Sequence, residues 1–256
     1  MSGGGPGVIE RSLSKAREFL IFVKYALRAQ LTSFPPRDVF VTQFVDAGWG
    51  SMGLLTMLTV FAGLNLSVQS YGSFQRFGGQ DLLGMFAAIG GVRELYPVMA
   101  AVVCGARIGA NLAASLANMR ISEQIEAFEV MAVDPMRYLV APRLWACTLA
   151  LPLLCGYADV IGLAASYYGA VHQLDLDPGS FVSQVQTHVA LTDVLAGMFK
   201  GLIMGWMVAI ISCFHGYTVA ARDGAEGVGI STNLAIVHGA VLCIVVNLLM
   251  SWIMYG

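Results

Sequence analysis

Charge is what this sequence has least of. Only 12% of its 256 residues are Asp, Glu, Lys or Arg, while 57% are hydrophobic and the mean hydropathy is +0.71. Soluble domains carry about 25% charged residues, so a soluble chain of this length would have too little polar surface to cover its core. The composition specifies a polytopic membrane protein. Other absences narrow its function. No basic run interleaved with aromatics occurs, so nothing suggests nucleic acid. The five cysteines (Cys104, Cys147, Cys155, Cys213, Cys243) sit in apolar stretches, without CxxC and without a Cys–His cluster at metal spacing. They read as buried reduced thiols. The four histidines (His172, His188, His215, His238) are scattered, so no metal and no cofactor is expected. No G-x-x-x-x-G-K-[ST] occurs, which excludes ATP hydrolysis by a P-loop. A signal peptide is not expected either. Residues 10 to 38 mix charge with apolar residues, and the first long uncharged run starts near Gly48.

What is present is a succession of apolar runs. Residues 1 to 8 form a Gly-rich tail expected to be disordered. An amphipathic interfacial helix is expected within residues 9 to 36. Leu13, Ala16, Leu20, Val23, Leu27 and Leu31 recur on one side, with Arg11, Lys15, Glu18 and Arg28 on the other, and Pro35-Pro36 ends it. A spanning helix needs roughly 20 mostly apolar residues. Five candidates fall at about 47–69, 84–118, 137–171, 191–220 and 231–255. The Lys and Arg residues cluster before the first span, between the second and third, and between the fourth and fifth. By the positive-inside rule the N-terminus is cytoplasmic and the C-terminus lies outside. The outer loop at about 172–190 is expected to hold a short helix from Pro178 to His188, with Asp177 as its cap.

The stretch "RISEQIEAFEVMAVDPMRYLVAPR", residues 120 to 143, concentrates charge between two spans. Ser122 is a suitable N-cap, and Glu123 and Glu126 fit the first turns of a helix at about 122–132. Asp134-Pro135 stops it. Ile125, Phe128 and Met131 form an apolar stripe and Glu123, Glu126 and Glu129 an acidic one. Such a helix can lie under the membrane and show acid to the cytoplasm, either as a plain solvated loop helix or as a docking surface. Inside the spans, Arg93, Glu94, Arg107, Asp159 and Lys200 are ionisable, and each is a functional hypothesis by default. Periodicity puts Arg93, Arg107, Asn111 and Asn118 on one face, provided Pro97 does not shift the phase. Gly105, Gly109 and Ala113 form a small-residue packing stripe, repeated by Gly201 and Gly205. Glu94 and Lys200 either pair to hold two helices together or line a polar site in a lipid cavity.

The segment "EQIEAFEVMAVDPMRYLVAPR" resembles the signature of the MlaE/YrbE family, the permease subunits of ABC lipid transporters that work with MCE-domain proteins. The family pattern is similar to E-Q/E-I-D-A-L-E-V-M-G-I-D-P followed by R-Y-L-V-x-P-R. Here Glu126 stands for Asp, Phe128 for Leu and Ala132 for Gly. Upstream, "VRELYPVMAAVVCGARIGANL" resembles R-E-L-G-P-V and the G-R-x-G after it, with Tyr96 in place of Gly. Downstream, "GYTVAARDGAEGVGISTNLAIV" resembles the Gly-rich segment before the last helix. The likeness runs from about residue 45 to 255, within a permease domain of residues 37–256.

The resemblance implies a homodimeric permease of the bacterial inner membrane that moves phospholipid, driven by a separate ABC ATPase and passing lipid to or from an MCE-domain protein outside. It implies that Glu123, Glu126, Phe128, Glu129 and Asp134 form the coupling helix that the ATPase grips. It implies too that Arg93, Glu94, Lys200 and Asn247 lie near the lipid cavity, although the family often has Asp where this chain has Asn247. The competing expectation is a stand-alone ion-coupled secondary transporter using Glu94 and Lys200. No internal repeat of the kind such folds often show is visible. A membrane enzyme lacks any constellation of catalytic residues.

Overall fold

The computed structural model describes residues 8–32, 34–76, 78–79 and 82–255, with side chains from residue 14 onward. Residues 1–7 of the expected tail lie outside the described residues, and Val8 already opens the first helix. The described chain is all-α. In order, its helices are α1 (Val8–Thr32), α2 (Arg37–Gln75), α3 (Leu83–Ile121), α4 (Gln124–Val130), α5 (Met136–Gln173), α6 (Pro178–His188), α7 (Leu191–Tyr217) and α8 (Gly224–Tyr255). Five of them, α2, α3, α5, α7 and α8, are long and apolar enough to cross a membrane. The protein is an all-α polytopic membrane protein, with α4 at one end of the bundle and α6 at the other.

Two spans begin earlier than hydropathy suggests. α2 starts directly after Pro36, which holds an extended ψ of 138° and so breaks α1 from α2. Nothing between Arg37 and Gly48 stops a helix, and hydropathy marks only its apolar part. At 39 residues α2 is about 58 Å long, against a hydrocarbon core of about 30 Å, so it tilts or projects beyond the bilayer. α8 likewise begins at Gly224, whose φ of 54° and ψ of −147° suit glycine alone.

α5 is the most buried span and the centre of the bundle, packed against α2, α3 and α7; α2 and α8 are the least buried. Small residues set the close approaches. Gly105 and Gly109 of α3 face Val208 and Ser212 of α7, and Gly216 of α7 lies on the Ala113 backbone. Gly201 and Gly205 of α7 face Cys155 and the Cys147 carbonyl of α5. All five cysteines are buried and free. Tyr96 is fully buried, with its ring against Gly91 and Gly162. Its hydroxyl meets Ser166 Oγ at 2.9 Å, and Ser166 Oγ donates to the Gly63 carbonyl at 3.1 Å. One phenol thereby ties α3 to α5 and, through Ser166, to α2.

α1 packs on the bundle through a face other than the Leu stripe. Phe22, Ala26 and Ala29 are buried, and Phe19 and Phe22 meet Phe214 edge-on at 5.1 and 5.6 Å. Leu20, Leu27 and Leu31 of the expected apolar stripe are exposed on the outside of the bundle, and the side chain of Leu13 lies outside the described residues. The helix has two apolar faces. The one with aromatics and alanines fits the grooves of the bundle, and the leucines face outward. Gln30 fastens it, accepting from Trp145 Nε1 through its carbonyl and from Trp206 Nε1 through its side chain.

Candidate functional site

α3 carries the polar centre because its backbone is irregular there. Residues Ala87–Leu95 form a π-helical stretch, followed by Pro97. Such wide turns are frequent at functional sites. Pro97 has no N–H, so the Arg93 carbonyl lacks the partner an α-helix would supply. Lys200 of α7 fills that vacancy: its Nζ donates to the Arg93 carbonyl at 2.9 Å. It also donates to Glu94 Oε1 at 3.2 Å and to Ser251 Oγ at 2.7 Å. The Lys200 side chain has no exposed surface, and an ammonium has three protons, so every donor is used inside the protein. Glu94 is equally committed. Its second oxygen accepts from Asn247 Nδ2 at 2.9 Å. An Asp at position 247 would set carboxylate against carboxylate; Asn donates instead. Glu94 remains 42% exposed, so water reaches the cluster from one side.

Arg93 turns to a different partner. Its Nη2 donates to Asp193 Oδ2 at 3.2 Å. Its Nε lies 3.0 Å from Asp193 Oδ1 but is not aligned for a hydrogen bond, so that contact is an ion pair only. Asp193 also accepts from the Ala190 backbone N–H at 3.0 Å, which caps α7 and fixes the carboxylate. The Tyr255 ring covers both cations, 5.0 Å from the Arg93 guanidinium and 5.1 Å from Lys200 Nζ. Each such contact is worth about 0.5–2 kcal/mol. Arg93 remains 29% exposed, which makes it the cation of the cluster open to a ligand.

Glu94, Lys200 and Asn247 are thus brought together, with Arg93 beside them. Asp193, Ser251 and Tyr255 complete the cluster and were missed in the sequence. Their signals were present: Asp193 lies seven residues before Lys200 on one helix face, and Asn247, Ser251 and Tyr255 are spaced by four. The expected common face of Arg93 and Arg107 does not form. Arg93 reaches α7 and α8, whereas Arg107 packs on Gly50 of α2 and donates to Ser51 Oγ at 3.1 Å. The wide turn through Leu95 rotates the residues ahead of it. Asp159 of α5 faces Gly197 of α7, between Asp193 and Lys200, and is buried, with neither carboxylate oxygen hydrogen-bonded among the described residues.

At the other end, α4 is shorter than expected, and Ser122 does not cap it. Ser122 Oγ donates to the Asn118 carbonyl at 2.7 Å and so finishes α3. Glu123 occupies the cap position with a left-handed φ of 57°. Ile125 is buried and Phe128 half-buried, its ring 5.3 Å from that of Tyr138 and tilted against it by 36°. Met131 of the expected apolar stripe is exposed, as are Val130 and Glu129. Glu126 is drawn back to Arg120 at 2.8 Å, and Asp134 pairs with Arg137 at 3.3 Å while accepting from the Met136 N–H at 3.0 Å. Among the described residues, the acids of the tip without an ion pair are Glu123 and Glu129, beside two apolar side chains. Ala132 also has a left-handed φ of 57°, and the Val133 N–H donates to the Phe128 carbonyl at 2.9 Å, a Schellman close.

Residues 40–253 match the family model described as Permease MlaE. The chain is 32% identical to a probable ABC transporter permease protein of Rickettsia prowazekii over 84% of this chain and 82% of that one. It is 35% identical to another of Synechocystis over 80% of this chain and 77% of that one. It is 30% identical to the intermembrane phospholipid transport system permease protein MlaE of Haemophilus influenzae, over 100% of this chain and 97% of that one.

Proposed function

The chain belongs to the MlaE permease family, and from that premise we propose that it is the membrane subunit of an ABC transporter that moves phospholipid. Its ATPase is a separate protein, two copies of the chain form the pore, and an MCE-domain protein outside hands lipid over or receives it. The α4 end faces the cytoplasm, a reading supported by the Lys and Arg residues gathered there. The bacterial inner membrane is its location.

The observation that carries this reading is α4. It is a seven-residue helix held outside the bundle between two spans, with Glu123, Glu129, Val130 and Met131 turned outward. It is anchored on the inner side by Ile125 and Phe128 and tied to α3 through Arg120. Motion imposed on α4 passes to α3 and α5, which it joins. α3 carries Arg93 and Glu94, so a shift of α3 against α7 and α8 strains the Lys200 cluster. Arg93, partly exposed at its edge, meets the lipid phosphate; Lys200 and Asn247 hold Glu94 and set the position of α3.

Replacing Glu123 and Glu129 together by Lys is expected to abolish co-purification of the ATPase while leaving the thermal unfolding midpoint unchanged, because both side chains are exposed. Undiminished ATPase binding would sink the docking role. Transport by the chain alone in proteoliposomes, driven by an ion gradient, would overturn the ABC reading.

A further inference from the structure

A cavity of about 650 Å³ opens at the α4 end, far from the Lys200 cluster. It lies between α1, the last turns of α7 and the first half of α8. Its volume falls within the range of about 300–1,000 Å³ typical of ligand sites. Phe19, Phe214 and Leu234 supply apolar wall. Charged and titratable groups reach it from every element that bounds it: Lys15 and Glu18 from α1, His215 from α7, Asp223 from the linker and His238 from α8. His215 Nε2 and His238 Nδ1 are 2.9 Å apart and share a proton across α7 and α8. That bond uses one nitrogen of each imidazole, and each ring has a second that can serve a ligand.

We propose that this cavity binds the headgroup region of a zwitterionic phospholipid from the leaflet at the α4 end. The charge pattern selects that class. Lys15 and the histidine pair offer donors to a phosphate, whereas Glu18 and Asp223 face any ligand with negative charge. A purely anionic headgroup meets repulsion from the two carboxylates. A headgroup with both phosphate and ammonium satisfies both signs, and its acyl chain follows the wall at Phe19, Phe214 and Leu234. Placement agrees: α1 turns Leu20, Leu27 and Leu31 outward beside Lys24 and Arg28, the pattern of a helix at the headgroup level. The site is separate from the Arg93 cluster and does not depend on it.

The complex of the full chain with its ATPase, delipidated in detergent, is titrated with phosphatidylethanolamine or with phosphatidylglycerol of the same acyl chains, and bound lipid is counted by native mass spectrometry. Leu234→Trp fills the cavity from an exposed position on its wall, and Lys15→Glu reverses an exposed charge. Each is expected to weaken one class of phosphatidylethanolamine site about tenfold, the order of one charge-assisted hydrogen bond. Phosphatidylglycerol is expected to bind that class about tenfold more weakly than phosphatidylethanolamine in the wild type. Arg93→Ala is expected to leave it intact. Wild-type affinity in both cavity variants, or equal affinity for the two lipids, overturns the proposal. Loss of all bound lipid in Arg93→Ala alone also overturns it, while leaving the proposed transport site standing. Loss in the cavity variants with no effect of Arg93→Ala supports the cavity and counts against the headgroup role of Arg93.

Discussion

Single residues show where this chain departs from its family pattern and how the structure absorbs the change. Tyr96 occupies a position where the resemblance leads one to expect glycine. It fits because Gly91 and Gly162 leave room for its ring, within 2.6 and 2.5 Å of where their Cβ atoms would lie. Ala132, where the resemblance also leads one to expect glycine, is not accommodated so well. Its φ of 57° places a Cβ against the following carbonyl, at a cost of about 1 kcal/mol relative to glycine. Ala132→Gly is therefore expected to stabilise the protein by about 1 kcal/mol, read as a higher unfolding midpoint in detergent. The Schellman hydrogen bonds around it are main-chain and stay in place. Lys200 illustrates how a membrane protein buries a charge: three partners for three protons, one of them a carbonyl released by Pro97.

Among the elements, α7 depends most on the side chains that its own glycines lack. A Cβ on Gly205 would stand 2.7 Å from the Cys147 carbonyl oxygen and 3.0 Å from Leu151 Cβ. The carbonyl belongs to the backbone of α5 and cannot rotate away. Gly205→Ala is expected to cost about 1–3 kcal/mol of stability, the usual range for overpacking, measured by unfolding in mild detergent. Gly53→Ala is the control. Among the described residues, no atom beyond its own helix backbone and chain neighbours lies within 4 Å of a Cβ there, so the exchange is expected to be neutral or stabilising by up to about 1 kcal/mol through helix propensity. α6 was legible to the residue: Pro178–His188 forms as expected, with Asp177 Oδ2 accepting from the Ser180 N–H at 2.7 Å. A helix start encoded by its own cap and proline needs no tertiary information. α4 was legible only in outline. Ser122 has the chemistry of an N-cap, but the end of α3 took its hydroxyl first. The second apolar face of α1, with Phe22, Ala26 and Ala29, was not legible for a related reason, since periodicity identifies an apolar face without saying whether lipid or protein covers it.

For the molecule as a whole, α1 is a brace laid across the bundle. It covers Phe214 and satisfies the indole N–H groups of Trp145 and Trp206 through Gln30. A chain lacking residues 1–32 is expected to insert its five spans but to unfold at a lower temperature, because two indole donors and an aromatic cluster lose their partners. An unchanged midpoint would show that α1 is not part of the folded unit. The number and order of the spans, the all-helical class, the cap of α6 and the charged segment between α3 and α5 were all determined by the sequence alone. Each rests on local chemistry: twenty apolar residues, a cap, a proline. Which charges meet was decided only by the tertiary structure. Lys200 with Glu94 and the Arg93 carbonyl, Arg93 with Asp193, and Asn247 with Glu94 all depend on how the helices are rotated against one another. That rotation is set by the glycine contacts and by the π-helical turn before Pro97, and neither hydropathy nor a uniform 100° periodicity encodes it.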